Sequence, residues 1–499
     1  MIEWLKSLLN QAKHSIRKSF LLVVSLLFLS QVSFTQTDSI SNSIEFINQT
    51  FLGNNQRCYY GDDAPDSLKL IWKHYLGKGE TVISRKLGSR IWAGAGWTGQ
   101  PLLIKENNQL YLIQGAYDHN LKKINATDGK IVWQYAYDDV IKGAATIWKA
   151  NDTVPFENRY VIFQGSRLGV GNYLDSKHIP SYRAISYITG KELWRLDVKW
   201  TKSYSRDVDG SALVLDDTIY IGLENSYFTL MDPYYQRAKI KDGMLQPNIY
   251  QETILYTDKD VASHGGNLVT ESSPSLLNGV IYIASGTGHI WGYSLKEKKL
   301  VWEFFIGSDI DGSAIVTSDS CIIVTAEKQY IEGHGGMFKL DPSKPAEESV
   351  VWFLPTEDKE YAGWEGGIIG SAAINDMYRK DDDPYIAVTL AIDGYMYVVE
   401  HKSIDTTKFV DGPNLKYKYH PPIILSKTKV GASISTPLID SNKIVSAGYG
   451  GLNLFSYDKN GIKKRIAHYP GQFESTPVFH NERLYIPSRN GYLYCYGEE

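Results

Sequence analysis

A chain of 499 residues with 43% hydrophobic and 13% aromatic content excludes a disordered polypeptide, and its net charge of −4 argues against a nucleic-acid-binding surface. Three cysteines, Cys58, Cys321 and Cys495, exclude a disulfide framework and any Cys-x-x-Cys metal or redox centre. The 35 Tyr, 12 Trp and 43 Gly favour many short strands joined by turns over long helices.

In chain order, the first predicted element is a targeting segment. Lys13, Arg17 and Lys18 precede a mostly apolar run from Phe20 to Phe34, and Ser33 and Thr35 stand at −3 and −1 of a cleavage before Gln36. A positive flank, a short apolar core and a small-residue exit make residues 1–35 a secretory signal. The run is too short for a comfortable membrane span, and an uncleaved signal anchor is the other reading. No Cys stands directly after it, which argues against a lipid anchor. Beyond it the balance is 48 basic against 55 acidic residues. The expected location is secreted, periplasmic or cell-envelope, with membrane contact only through an uncleaved anchor. Residues 36–66 read as an N-terminal extension and residues 67–499 as one repetitive domain.

That domain is periodic. A glycine followed by a strand ending in tryptophan occurs at Gly129-Lys-Ile-Val-Trp133 and Gly190-Lys-Glu-Leu-Trp194, with looser versions ending at Trp72, Trp302 and Trp352. The spacings are 61, 61, 108 and 50, the third being two repeats whose middle Trp is missing. Small-residue turns open a further strand near Gln100, Gly143, Gly210, Ser273, Gly312, Gly370, Thr436 and Thr476. Alternation at period two marks half-buried strands. Eight openings, each followed by strands, predict an all-β propeller of about eight four-stranded antiparallel blades. The last unit stops one strand short at Tyr494-Cys-Tyr, and the early strand Leu68-Lys-Leu-Ile-Trp72 is predicted to complete it. Insertions at about 166–182, 233–266 and 401–430 are Tyr-rich and carry Pro, which favours ordered contact surfaces.

The motifs Asp128-Gly129-Lys130-Ile131-Val132-Trp133 and Thr189-Gly190-Lys191-Glu192-Leu193-Trp194 resemble the repeat of the quinoprotein alcohol dehydrogenase-like propellers, over roughly residues 67–497. The resemblance implies a fold that serves enzymes and scaffolds alike. The family's enzymes hold a pyrroloquinoline quinone (PQQ) and usually Ca²⁺ on the axis, many with adjacent cysteines against the cofactor. This chain has no adjacent Cys pair and no haem-attachment motif, so neither PQQ nor Ca²⁺ is predicted.

The candidate binding face is drawn from the turns entering the inner strands. Asp207, Asp209, Glu271, Asp309, Asp311 and Glu474 occupy equivalent places, and ring symmetry would gather Asp209, Glu271, Asp311 and Glu474 around the axis. Such carboxylates suit a hard cation or a basic partner group, or else each caps its own turn. Arg206 is the expected internal neutraliser. Trp97 and Trp364, in Gly-rich loops leading to the same face, offer a surface for sugars or extended peptide, or plug the channel mouth. No nucleophile motif, phosphate loop or metal spacing occurs. Three functional classes result. The first is a monomeric, extracytoplasmic, non-enzymatic scaffold with a protein or glycan partner, resembling the propeller subunit of outer-membrane barrel assembly. The others are a quinone- or metal-dependent oxidoreductase and a carbohydrate-binding propeller.

Overall fold

The computed structural model describes residues 43–380 and 382–498; the signal-segment reading lies outside them. Eight antiparallel sheets follow one another along the chain. Their first strands are Leu102–Glu106, Thr146–Lys149, Leu213–Leu215, Ser275–Leu277, Ile315–Val316, Ala373–Ile374, Leu438–Ile439 and Val478–His480, taken here as opening blades 1 to 8. Each begins two or three residues after the small-residue turn that marks it in the sequence. Seven sheets have four strands, and blade 1 carries a fifth, Ile44–Asn48, beside Leu102–Glu106. The eighth sheet takes its outermost strand from the other end of the chain: Leu70–Tyr75 pairs with Tyr492–Gly497, Trp72 opposite Cys495 and Tyr75 opposite Tyr492. Among the described residues no helix is long and apolar enough to cross a membrane.

The Gly-x-x-x-Trp repeat has a direct physical role. Each indole leaves the outer strand of its blade and donates from Nε1 to a backbone carbonyl beside the third-to-fourth-strand connection of the next. Trp72 bonds Ala126, Trp133 bonds Tyr187, Trp194 bonds Pro233, Trp302 bonds Lys344 and Trp352 bonds His401, at 2.9–3.3 Å. The glycine is the floor on which the preceding indole lies. A Cβ on Gly129 would stand 2.7 Å from Trp72, and one on Gly190 2.8 Å from Trp133; both glycines also have positive φ, 73° and 68°. Glycine and tryptophan are therefore partners across a blade interface, although they recur as one motif along the chain. At blade 3, where the Trp is missing, Gln251 takes over: its Nε2 donates to Lys298 and its Oε1 accepts from Tyr293 of blade 4.

The extension preceding the ring crosses the channel and touches inner strands or their turns all round it. Gln49 accepts from Ile147, Leu52 N donates to Gln100, Asn55 accepts from Leu276 and Gln56 from Val316. Tyr60 accepts from Ile374 through its hydroxyl and from Phe479 through its carbonyl, and Ala64 N donates to Asp440. These contacts cluster where first strands turn into second strands, so they close one end of the channel. Phe51, Leu52, Cys58 and Tyr60 are buried there.

Two of the insertions cover the outer edge of the preceding blade. The hairpin Lys239–Lys241/Met244–Gln246 of blade 3 lies along Glu192–Leu196 of blade 2, with Asp197 N donating to Gln246. The insertion in blade 6 brings His420 to accept from Phe353 N and sets Tyr419 against Phe338 and Phe353. Both cover strand edges that would otherwise be open to pairing.

Candidate functional site: the open mouth of the channel

Antiparallel strands alternate direction, so connections from outer to inner strands and turns from second to third strands emerge at the same end of every blade. This is the end opposite the N-terminal plug. Asp207 and Asp209 precede blade 3, Glu271 precedes blade 4, and Asp309 and Asp311 precede blade 5. Glu224 and Glu327 follow the second strands of blades 3 and 5, Thr218–Gly222 and Ile322–Ala326.

These acids form two linked groups. In the first, Lys142 Nζ lies 2.5 Å from Asp209, 3.6 Å from Glu224, 3.7 Å from Glu271 and 3.9 Å from Asp207. Arg167 meets Asp207 at 2.7 Å, and Ser205 donates to Glu224 at 2.6 Å. Burial works against the charge on Lys142, but the carboxylates, Asp209 foremost, outweigh it and hold its pKa well above the usual value. The second group is Asp309, Asp311 and Glu327, which can bring one oxygen each within 4.8 Å of the others. Asn267 donates to Asp309 at 2.9 Å, and burial beside Asp309 and Glu271 pushes the Asp311 carboxyl well above the usual carboxylate range. Like charges held this close in a buried site favour the protonated form of one another. Burial and mutual repulsion accordingly raise the whole group. Asp309 is pushed up to about 6 by burial, Glu271 to about 7 by burial and Asp209, and Glu327 to about 8 by burial, Asp309 and Glu271.

Above the first group opens a cavity of about 550 Å³, walled by Trp92, Tyr173 and Tyr204, with Asp207, Glu224 and Glu271 among its lining. Glu224 Oε1 and Asp207 Oδ1 are buried and accept no hydrogen bond. The opposite sector of the mouth is apolar: Ile369, Ile392 and Ile434 pack with Trp97, Trp364 and Tyr449.

Of the residues singled out from the sequence, Asp209, Glu271 and Asp311 come together. Glu474 does not join them; it is held by Arg489 at 3.0 Å and the Tyr449 hydroxyl at 2.9 Å. Arg206 is not the neutraliser. Its guanidinium turns away and donates to the carbonyls of Val198, Leu174 and Ser176, bracing its own connection. Trp97 and Trp364 pack against the isoleucines of the apolar sector rather than standing free. Lys142, Arg167, Glu224 and Glu327 went unread. Their signal was present, since Gly-Leu-Glu224 and Thr-Ala-Glu327 occupy the same place after second strands.

The raised pKa values carry a pH dependence. Glu327 holds its proton to about pH 8 in the fold but only to about 4.5 in the unfolded chain. Folding is therefore penalised increasingly as pH rises from 4.5 through 8, and not below. Glu327→Gln is expected to stabilise the protein at pH 9 by about 1–3 kcal/mol and to change nothing at pH 4. Equal increments at both pH values in urea melts would refute this.

Residues 69–304 match the family model described as outer membrane protein assembly factor BamB. Among solved structures, BamB from Moraxella catarrhalis superposes with a TM-score of 0.52 at 12% identity, covering 86% of this chain and 100% of that one. Quinohemoprotein alcohol dehydrogenase from Comamonas testosteroni gives 0.56 at 12% identity, covering 90% and 81%. The Dos1 propeller gives 0.52 at 12% identity, covering 88% and 97%. No curated protein matches the sequence. At these identities the superpositions establish the fold.

Proposed function

The chain is an eight-bladed propeller of the quinoprotein-like, PQQ-type repeat family, and from that premise we propose that it is a non-enzymatic scaffold acting outside the cytoplasm. Its open mouth takes a basic group of a protein partner. The observation that carries this reading is the charge balance of the mouth: seven carboxyls, Asp207, Asp209, Glu224, Glu271, Asp309, Asp311 and Glu327, against Lys142 and Arg167. A partner Lys or Arg entering beside Glu271 and Asp311 would let both ionise, while its apolar neighbours meet the Trp97–Trp364 sector. The signal-like segment and the match to an outer-membrane assembly factor support an envelope location and a role among assembling proteins. A photo-crosslinking residue in place of Tyr204, which is 56% exposed at the cavity wall, provides the test in cells. Crosslinking to a partner is expected to fall at least tenfold, about 1.4 kcal/mol, in the triple variant Glu271→Gln/Asp311→Asn/Glu327→Gln, and to become less sensitive to salt. Unchanged yield would sink the proposal and leave the acids as turn caps.

A second reading, a metal- or quinone-dependent oxidoreductase, is favoured by one observation. Asp309, Asp311 and Glu327 offer clustered hard oxygen donors, with Asn267 bonded to Asp309, and this set fits a cation such as Ca²⁺. Those four residues would hold the ion, which would supply Lewis acidity to a carbonyl or quinone oxygen. Elemental analysis and an absorbance spectrum of purified protein separate the two readings: stoichiometric Ca²⁺ with a quinone band selects the second.

A further inference from the structure

Trp200 is 61% exposed, whereas every other tryptophan among the described residues is half-buried or buried. It follows the outer strand of blade 2, Glu192–Leu196, and takes no part in the indole contacts between blades. It walls a cleft of about 490 Å³ together with Ile249, Lys177, Lys199, Lys241 and Arg206. Arg206 is spent on backbone carbonyls and Lys199 on Glu252. The carboxylates at the cleft are also engaged, Asp175 by Arg85 and Asp197 by His178 and the Ile179 amide. Lys177 and Lys241 have no ion-pair partner among the described residues, in a chain whose net charge is −4. Lys241 is set in place by a tight Asp242-Gly243 turn with φ of 51° and 79°, the geometry that matches strand twist.

We propose that this cleft binds an acidic saccharide, a pyranose bearing a carboxylate. The C–H face of a sugar ring is apolar and flat, and a bare indole face offers it contact area with little entropy to lose. Two unpaired ammonium groups beside that face supply the charge that a carboxylate needs. The volume suits roughly one or two sugar rings, and the concave shape does not suit a flat lipid surface. An acidic polypeptide would satisfy the lysines but present no rigid ring to Trp200. The site is separate from the acidic mouth, so it stands or falls independently of the scaffold reading.

The test titrates the full-length protein with oligogalacturonate, its methyl-esterified neutral form and poly-glutamate, read by calorimetry and tryptophan fluorescence. Oligogalacturonate is expected to bind, and the neutral form roughly tenfold or more weakly. Trp200→Ala is expected to weaken binding by a similar factor, Trp200→Phe to retain most of it, and Lys177→Glu/Lys241→Glu to abolish it. All variants should melt as the parent does, because the altered side chains lie at the surface. Absence of binding, equal binding of the neutral form, or unchanged affinity in Trp200→Ala overturns the proposal. Poly-glutamate binding as tightly as oligogalacturonate also overturns it and identifies the occupant as an acidic polypeptide.

Discussion

Deletion of residues 67–73 is expected to abolish cooperative unfolding at the parent temperature, the largest effect any change of this size should have on the protein. The deletion removes most of the strand Leu70–Tyr75, which supplies the outer edge of the sheet containing Tyr492–Gly497. Blades 2 to 7 are each built from one consecutive stretch of chain, and blade 1 has its four regular strands in one stretch; this blade joins an early strand to the last three. Losing it exposes the backbone edge of Tyr492–Gly497 and withdraws the Trp72 indole from Gly129 and the Ala126 carbonyl. An open ring then leaves an unpaired face on blades 8 and 1, and repeats of this type cannot bury both faces alone. Trp72→Ala isolates the interface contribution and should cost about 2–4 kcal/mol, somewhat below a fully buried Trp because this one is half-buried. Trp72→Phe, which keeps the ring but not the donor, should cost about 1 kcal/mol. Urea denaturation measures all three. A deletion variant that melts with the parent would show that the ring does not depend on this strand.

The second large effect is expected at Arg57. Its side chain is fully buried in the plug, yet no carboxylate pairs with it among the described residues. Its hydrogen bonds go to Pro274 at 2.9 Å, Thr50 at 2.7 Å, Phe51 at 2.9 Å and, at 3.4 Å, Ser211 and Ala212. A single guanidinium thus ties the plug to the inner strands of blades 3 and 4 and satisfies carbonyls that the short first strands leave unpaired. Arg57→Ala takes the guanidinium from the Pro274, Phe51 and Ser211 carbonyls, while Thr146 and Thr50 still serve that of Ala212, and opens a cavity, at an expected cost of about 3–5 kcal/mol. Arg57→Lys cannot reproduce the fork and should recover less than half of the loss. A shift of the urea midpoint with unchanged slope would identify lost stability rather than a change in the unfolded chain. A loss below about 1 kcal/mol would mean that water replaces the guanidinium and the plug is loosely held.

The two effects have different origins. The strand deletion acts on the outer rim, where a missing segment breaks a sheet. The Arg57 change acts at the axis, where first strands of two or three residues, such as Ile315–Val316 and Ala373–Ile374, are too short to pair fully with their neighbours. The plug completes that inner layer with backbone amides and carbonyls from residues 49–64.

The repeat architecture was legible in the amino-acid order because its determinants are local. Period-two alternation, small-residue turns and the Gly-x-x-x-Trp spacing each lie within one strand or turn, and repetition adds them in phase. The absence of disulfide and haem-attachment patterns could be read in the same way, and the three cysteines are indeed unpaired and buried. Ring symmetry sets Glu271, Asp311 and Glu474 at equivalent turns, but only those of neighbouring blades 4 and 5 stand side by side, while Glu474 of blade 8 is held by Arg489 and Tyr449. The tertiary structure alone decided what neutralises Glu271. Lys142 lies 129 positions before Glu271 and enters from between blades 1 and 2, whereas Arg206, a neighbour of Asp207 in the chain, is drawn outward by the carbonyls of Leu174, Ser176 and Val198. Proximity in sequence sets where a turn residue starts; packing and unsatisfied backbone acceptors set where its side chain ends. For the same reason Trp97 and Trp364 are packed among isoleucines while Trp200 stands exposed, because the free face of an indole depends on which loops of other blades reach it.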